Sequence, residues 1–176
     1  MIQADRFTTK AQEALAEAGR NASRARNTEI IPAHLLEALI SQENGITVPV
    51  MSKIGADAEK IRREAAEIAS RAPRVEKGLP DPGLSIELQE VIRRSMEDAD
   101  KLGDDYVSTE HLLLGLSAGD EETGRLLSMA GVTHDKILEA LASVRGSARV
   151  TDQNAESTYR ALERFTRANC HAGSDP

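Results

Sequence analysis

Apolar and small residues recur every three to four positions along most of this chain, which is the spacing of one face of a helix. The first stripe belongs to a helix that begins after Thr8 or Thr9; its members are Ala11, Leu15, Ala18, Ala22 and Ala25. A second, more apolar stripe lies between a cap near Ser85 and a stop at Gly103; its members are Leu88, Ile92, Ser95, Ala99 and Leu102. No segment shows the alternation of a strand, so the pattern predicts an all-α protein.

The second half of the chain repeats the first half at an offset of 77 residues, as Gln12 and Gln89 show. The same offset relates His34-Leu35-Leu36 to His111-Leu112-Leu113. Beyond about residue 51 the offset becomes 76, and the matching pairs are Ser52 with Ser128, Gly55 with Gly131, and Lys60-Ile61 with Lys136-Ile137. The sequence therefore predicts two copies of one unit, related by a pseudo-twofold axis, with a groove at their junction.

Each copy is predicted to contain four helices. Pro32 suits the first turn of the second helix in one copy, and Ser108 is a good N-cap for the second helix in the other. Glycine stops end the third helices and polar N-caps begin the fourth helices, at Gly55, Gly131, Asp57 and Thr133.

The helices and a segment rich in proline and glycine predict the organisation of the chain. A domain over 2–147 contains repeat one at about 5–71, the connector 72–83 and repeat two at 84–146. A linker and the start of a middle segment follow at 148–165, with a ninth helix from about Asn154 to Phe165. Residues 166–176 form a polar tail.

The composition of the chain argues against nucleic acids and membranes as partners. The net charge of −7 and the pI near 5.2 argue against nucleic acid, because Lys and Arg must neutralise its phosphates. No window approaches the roughly 18 apolar residues of a membrane span, and the start of the chain lacks a signal peptide, so we expect a cytoplasmic protein without a membrane partner. The lone Cys170 excludes an intrachain disulfide and a site built from several cysteines.

No catalytic motif is present in the sequence. Phosphate-binding loops, dinucleotide fingerprints and nucleophile elbows are all missing, so we expect no catalytic residues and no cofactor in this chain. We interpret His34 and His111 as helix-start residues that bond locally, and we expect no metal site. Asp104 and Glu110 form a candidate acid–base pair, but no nucleophile with an activating partner lies nearby.

Three segments resemble the Clp repeat N-terminal domain of the Hsp100/Clp AAA+ chaperones. Two of them are residues 5–8, DRFT, and residues 103–113, GDDYVSTEHLL. The third is residues 150–163, VTDQNAESTYRALE, which looks like the segment before the first ATPase ring in the ClpB disaggregase branch. The resemblance covers about 2–165. From Thr166 onward the chain departs from the family's next stretch, so a truncated gene product, a free-standing domain and a domain with an unrelated tail are all compatible with the sequence.

The resemblance implies an all-α fold of two four-helix Clp repeats plus a linker helix. It also implies a non-catalytic, substrate-recruiting role, with unfolded or aggregated polypeptides and an AAA+ ring as partners and ATP bound only by AAA+ domains outside this chain. The isolated domain is expected to be a monomer. The family's substrate-contact positions match Thr8, Asp104 and Glu110. Each also has a local interpretation, as a helix cap, a loop acid and a first-turn carboxylate respectively.

An alternative function is compatible with the same residues. The chain would then be an adaptor-docking or regulatory N domain of a protease-feeding unfoldase of the ClpC or ClpA type, or a free-standing Clp regulator. Selectivity separates the two hypotheses, because a substrate-recruiting domain binds many unfolded chains weakly whereas a docking domain binds one folded partner tightly.

Overall fold

The structure is a computed structural model that describes residues 3–78, 80–157 and 159. Within these residues the helices of repeat one are α1 (Thr9–Arg24), α2 (Pro32–Ser41), α3 (Thr47–Ile54) and α4 (Ala58–Ser70). Those of repeat two are α5 (Ile86–Lys101), α6 (Thr109–Ser117), α7 (Glu122–Met129) and α8 (His134–Arg145). A short 3-10 turn at Ala4–Arg6 precedes α1. The predicted mostly helical fold is confirmed.

The helix ends follow the capping signals of the sequence. Thr8 and Ser85 occupy the same position in the two repeats, and their hydroxyls accept first-turn amides at 3.2 and 3.1 Å. Asp57 and Thr133 cap α4 and α8 in the same way. Gly55 adopts a left-handed φ of 89° after α3, a conformation that glycine reaches without steric cost.

The prediction that no segment forms a strand was wrong at two places. β1 (Glu29–Ile30) pairs in parallel with β2 (Gly83–Leu84), and Phe7 forms an isolated parallel bridge with Val107. These pairings are equivalent at the offset of 77, so the segment before the first helix of each repeat pairs with the segment before the second helix of the other. Two residues are too few for strand alternation to appear in a sequence, and only the crossing between repeats makes them pair.

The core is aliphatic and continues from one repeat into the other. Helices α2 and α6 are the most deeply buried, and the repeats also meet where α3 packs against α8 and α4 packs against α7. These reciprocal contacts are those expected of two copies related by a pseudo-twofold axis. Because the junction is made by helices on the outside of the core, it leaves a surface furrow between α4 and α7.

The chain continues beyond α8 along repeat two. Ala155, Glu156, Ser157 and Tyr159 are helical, at the start of the predicted ninth helix. The rest of that helix and the polar tail with Cys170 lie outside the described residues. Among the described helices, none combines the length and the apolar character that a bilayer crossing requires.

Candidate functional site

The three predicted substrate-contact residues lie in one polar cluster, but none is at the surface. Thr8 caps α1, Asp104 lies in the loop before α6, and Glu110 lies in the first turn of α6. Their exposed fractions are 0%, 4% and 0%. A direct contact with a substrate requires accessible side chains, whereas the structure buries all three. Their contact with a substrate stays a prediction.

Arg145, at the end of α8, joins two of these residues. Its guanidinium donates to Asp104 at 2.6 and 3.0 Å and to Glu110 at 2.8 Å, and only 8% of its side chain is exposed. Arg145 was not among the residues predicted from the sequence. The two acids that it binds are 35 and 41 positions away, so no local pattern connects them with it.

Two histidines show the same local geometry in the two repeats. The Nδ1 atom of His34 accepts the amide of Ile31 at 3.0 Å, and that of His111 accepts the amide of Ser108 at 2.8 Å. Each Nε2–H is then left to donate, to Asn27 in repeat one and to Asp104 at 2.8 Å in repeat two. Local bonding of the helix-start histidines is confirmed.

Ligand atoms of Asp104, Glu110 and His111 approach within 4.8 Å of one another, a spacing that suits a metal ion. In the structure the guanidinium of Arg145 supplies the positive charge beside both carboxylates. His111 is also committed at both ring nitrogens. The cluster is therefore arranged as a buried ion-pair network.

The network belongs to repeat two only. At the offset of 77, Asp104 corresponds to Asn27 and Glu110 corresponds to Ala33; at the later offset of 76, Arg145 corresponds to Ala69. At these three positions repeat one therefore has neutral residues. This difference between matched positions was the signal in the sequence that marks the site, because buried charges are not needed to build the fold.

A covering segment, residues 148–157 and 159, closes the cluster from outside. The amide of Val150 donates to Asp104 at 2.9 Å. Glu156 accepts the Thr8 hydroxyl at 2.7 Å and the Thr109 amide at 3.1 Å through the same oxygen. The ring of Tyr159 lies 5.9 Å from the guanidinium carbon of Arg145, within cation–π distance. Val150, Glu156 and Tyr159 are all buried.

The environment shifts the two acids of the network in opposite directions. Burial alone would raise the pKa of Asp104, but hydrogen bonds from His111, Arg145 and the Val150 amide outweigh it and hold this pKa well below its usual range. Burial raises the pKa of Glu110, and the positive charge of the neighbouring Arg145 guanidinium offsets this only in part. Burial also raises the pKa of Tyr159, so its phenol stays neutral.

We expect Glu110→Gln to stabilise the protein at pH 7 and to make no difference below about pH 4. A raised pKa in the folded state means that the ionised carboxylate is disfavoured there, so this cost appears as the pH rises above the ordinary value of 4.5 and is complete above the folded pKa. The substituted amide stays neutral, and its oxygen still accepts from Arg145. The variant keeps the other groups that face this position, which are Asp104, His111, Arg145, Glu156 and Tyr159. Urea unfolding between pH 4 and 8 measures the difference.

Glu139→Gln, at an exposed position of α8, is the control for the loss of one negative charge. A Glu110→Gln variant that is less stable than the parent at pH 7 would show that the ionised carboxylate is needed by Arg145.

A second feature, the junction groove, crosses the boundary between the repeats. It lies between α4 and α7 and has a volume of about 590 Å³. Apolar side chains along it are Ile61, Ile68, Leu126 and Met129, and charged ones at its margins include Glu64, Arg71 and Arg125. Met129 is 89% exposed, and Arg71 pairs with Glu122 across the furrow. Thr8, Asp104 and Glu110 do not line this groove.

Comparison with known proteins shows the family of the chain. The family model described as the Clp repeat (R) N-terminal domain matches residues 6–130. A chaperone protein ClpB from Rhodopirellula baltica is 44% identical over 161 residues, which is 92% of this chain but only 18% of that protein. The chain thus spans less than a fifth of the length of this relative.

Solved structures show the same fold. The Hsp104 N-terminal domain from Candida albicans has a TM-score of 0.74 at 21% identity, over 85% of this chain and 98% of that one. A ClpV N-domain in complex with a VipB peptide has a TM-score of 0.65 at 14% identity, over 84% of this chain and 91% of that one.

Proposed function

Because the chain belongs to the Clp repeat N-terminal domain family, we propose that it is the substrate-recruiting domain of a ClpB-like protein disaggregase. In this role it binds exposed segments of unfolded or aggregated proteins and performs no chemistry itself. ATP is used by AAA+ domains outside this chain, so we assign it no cofactor. We place the protein in the cytoplasm and expect the isolated domain to be a monomer.

The observation that carries this proposal is the junction groove. Its volume of about 590 Å³ lies in the range of roughly 300–1,000 Å³ that is typical of ligand sites. An exposed methionine is a flexible, polarizable side chain that adapts to many apolar partners. Met129 on α7, with Ile68 and Leu126 beside it, therefore offers an apolar surface to the exposed apolar side chains of an unfolded polypeptide.

The charges at the margins favour weak binding of many sequences. Glu64, Glu67 and Arg125 place both signs around the groove, so no single charge pattern is selected. Helix surfaces leave no unpaired strand edge in the groove for a peptide to extend, so affinity there depends on side-chain contacts. The ClpV N-domain solved with a VipB peptide supports the idea that this fold accommodates a peptide.

We expect Met129→Glu to weaken the binding of an unfolded, casein-like polypeptide by about tenfold, because full burial of a Met side chain contributes roughly 1.5–3 kcal/mol. Met129 is so exposed that the folded state loses little when it is replaced. Fluorescence anisotropy of the labelled polypeptide measures binding, and thermal unfolding checks that the variant is folded.

Ile86→Glu is the matched control, because Ile86 is also a large apolar residue at the surface, 81% exposed, and does not line the groove. Equal losses in both variants would show that binding follows overall surface hydrophobicity and would refute the groove. Tight binding of one folded partner with no affinity for unfolded chains would instead favour the adaptor-docking alternative.

A further inference from the structure

The covering segment places the carboxylate of Glu156 between hydrogen-bond donors from the two repeats. One oxygen of Glu156 accepts from the Thr8 hydroxyl at 2.7 Å, the Thr109 amide at 3.1 Å and the Thr109 hydroxyl at 3.5 Å. Thr109 is the first residue of α6, whose N-terminal amides and dipole favour a negative group. The donors come from the two repeats, and the carboxylate comes from the segment that follows them.

Repeat one has no equivalent of this arrangement in its sequence. The position that matches Thr109 is Pro32, which lacks an amide hydrogen and cannot donate one to a carboxylate. The position that matches Thr8 is Ser85. Gene duplication alone therefore does not account for the carboxylate-binding geometry.

With Glu156 in the site, some buried polar atoms there lack hydrogen-bond partners. The other oxygen of Glu156, one oxygen of Glu110 and the hydroxyl of Tyr159 are buried without a hydrogen-bond partner among the described residues. Unsatisfied buried groups cost free energy, which lowers the stability of the docked segment relative to an undocked one. The three residues adjoin the same network, because Glu110 and Tyr159 both contact Arg145, and Glu156 binds Thr109, the residue before Glu110.

We propose that Thr8 and the N-terminus of α6 form a carboxylate-binding site that Glu156 fills from within the chain, and that a carboxylate of a bound client displaces Glu156 and lifts the covering segment. This inference rests on the proposed function, since it names the group of the client that the second site takes. Lifting residues 148–157 and 159 removes the hydrogen bonds that this segment makes with Thr8 and Asp104, and so offers these two residues a route to a client.

The source of the carboxylate is open to a direct comparison of three probes. They share one short apolar sequence: a blocked peptide with an amidated end, the same peptide with a free C-terminus, and the amidated peptide with one internal Asp. The neutral peptide measures the junction groove alone. The other two measure a terminal and a side-chain carboxylate.

We expect Glu156→Ala in the full chain to bind the carboxylate peptides about tenfold more tightly than the parent, because a charge-assisted hydrogen bond no longer has an internal competitor. Affinity for the neutral peptide is expected to stay unchanged. In the parent protein, adding a carboxylate peptide is expected to speed hydrogen exchange at Val150, whose amide binds Asp104, and at Thr9, whose amide binds Gln153 in the covering segment.

Glu139→Gln, at an exposed position of the helix that carries Arg145, controls for lost negative charge. Glu156→Gln keeps an acceptor and decides the question if Glu156→Ala fails to fold, with a smaller gain of affinity in the same direction. Equal affinities of the parent and both variants for the carboxylate peptides would overturn the proposal, as would an equal gain for the neutral peptide. If the neutral peptide does not bind at all, the proposed function fails at the groove, and the carboxylate probes still test this site.

Discussion

Arg145→Ala is expected to destabilise the protein by about 3–5 kcal/mol, the cost of removing one partner from a buried ion pair and leaving the other charged. Its guanidinium is the cation that hydrogen-bonds both Asp104 and Glu110, and neither carboxylate reaches solvent. The loss is expected to be smaller at pH 5 than at pH 7, because the abandoned carboxylates take up protons as the pH falls. Urea unfolding at both pH values measures it.

Repeat one shows which substitutions should restore the stability that Arg145→Ala removes. The triple variant Asp104→Asn, Glu110→Ala and Arg145→Ala reproduces the neutral set found in repeat one, and we expect it to recover more than half of the lost stability. The space left by the arginine accounts for the remainder. Arg149→Ala, at an exposed position nearby, is the control and is expected to change little. A triple variant no more stable than Arg145→Ala would show that the guanidinium acts through packing and not through charge.

Gly115→Ala is expected to destabilise the protein by about 2–3 kcal/mol through overpacking. Gly115 lies in α6 where α5 crosses it, and a Cβ there would lie 2.4 Å from the Ser95 hydroxyl and 2.5 Å from the carbonyl oxygen of Val91. A backbone carbonyl inside a helix cannot rotate away, so α5 and α6 must separate. The midpoint of urea unfolding, at an unchanged slope, measures this effect.

Gly19→Ala is the matched control and is expected to have the opposite sign. Gly19 lies inside α1, where an added Cβ meets only the Ile30 methyl at 3.5 Å, an ordinary contact. Alanine inside a helix is more favourable than glycine by about 0.5–1 kcal/mol. If both alanine variants stabilise the protein, the close approach of α5 and α6 is not required for stability.

The matched positions explain why the sequence did not reveal this contact. In repeat one the position of Gly115 is Ala38, and those of Val91 and Ser95 are Ala14 and Ala18. The helix pattern is the same in both repeats, so periodicity predicts the same pair of helices. How close two helices approach depends on the residues that meet at the crossing, and the stripe of one helix does not contain that information.

The candidate site was predicted in part. Thr8, Asp104 and Glu110 do lie together, although the two acids are 96 and 102 positions from Thr8 in the sequence and were connected with it only by a family resemblance. Their burial and the part played by Arg145 and Glu156 were not predicted. A polar residue at the start of a helix can be an N-cap or a member of a buried ion-pair network, and its neighbours in the sequence are the same in both cases. Only the residue that it contacts elsewhere in the fold distinguishes the two roles.

The sequence by itself determined that the chain forms two copies of a four-helix unit, and it located most of the helix starts and several of the stops. Periodicity, N-caps and glycine stops act over a few residues, so neighbouring letters are enough to define them. The tertiary structure alone decided which polar residues are buried and which groove stays open. The Thr8–Glu156 hydrogen bond joins residues 148 positions apart, and a buried charge such as that of Glu156 needs partners that only the folded chain brings to it.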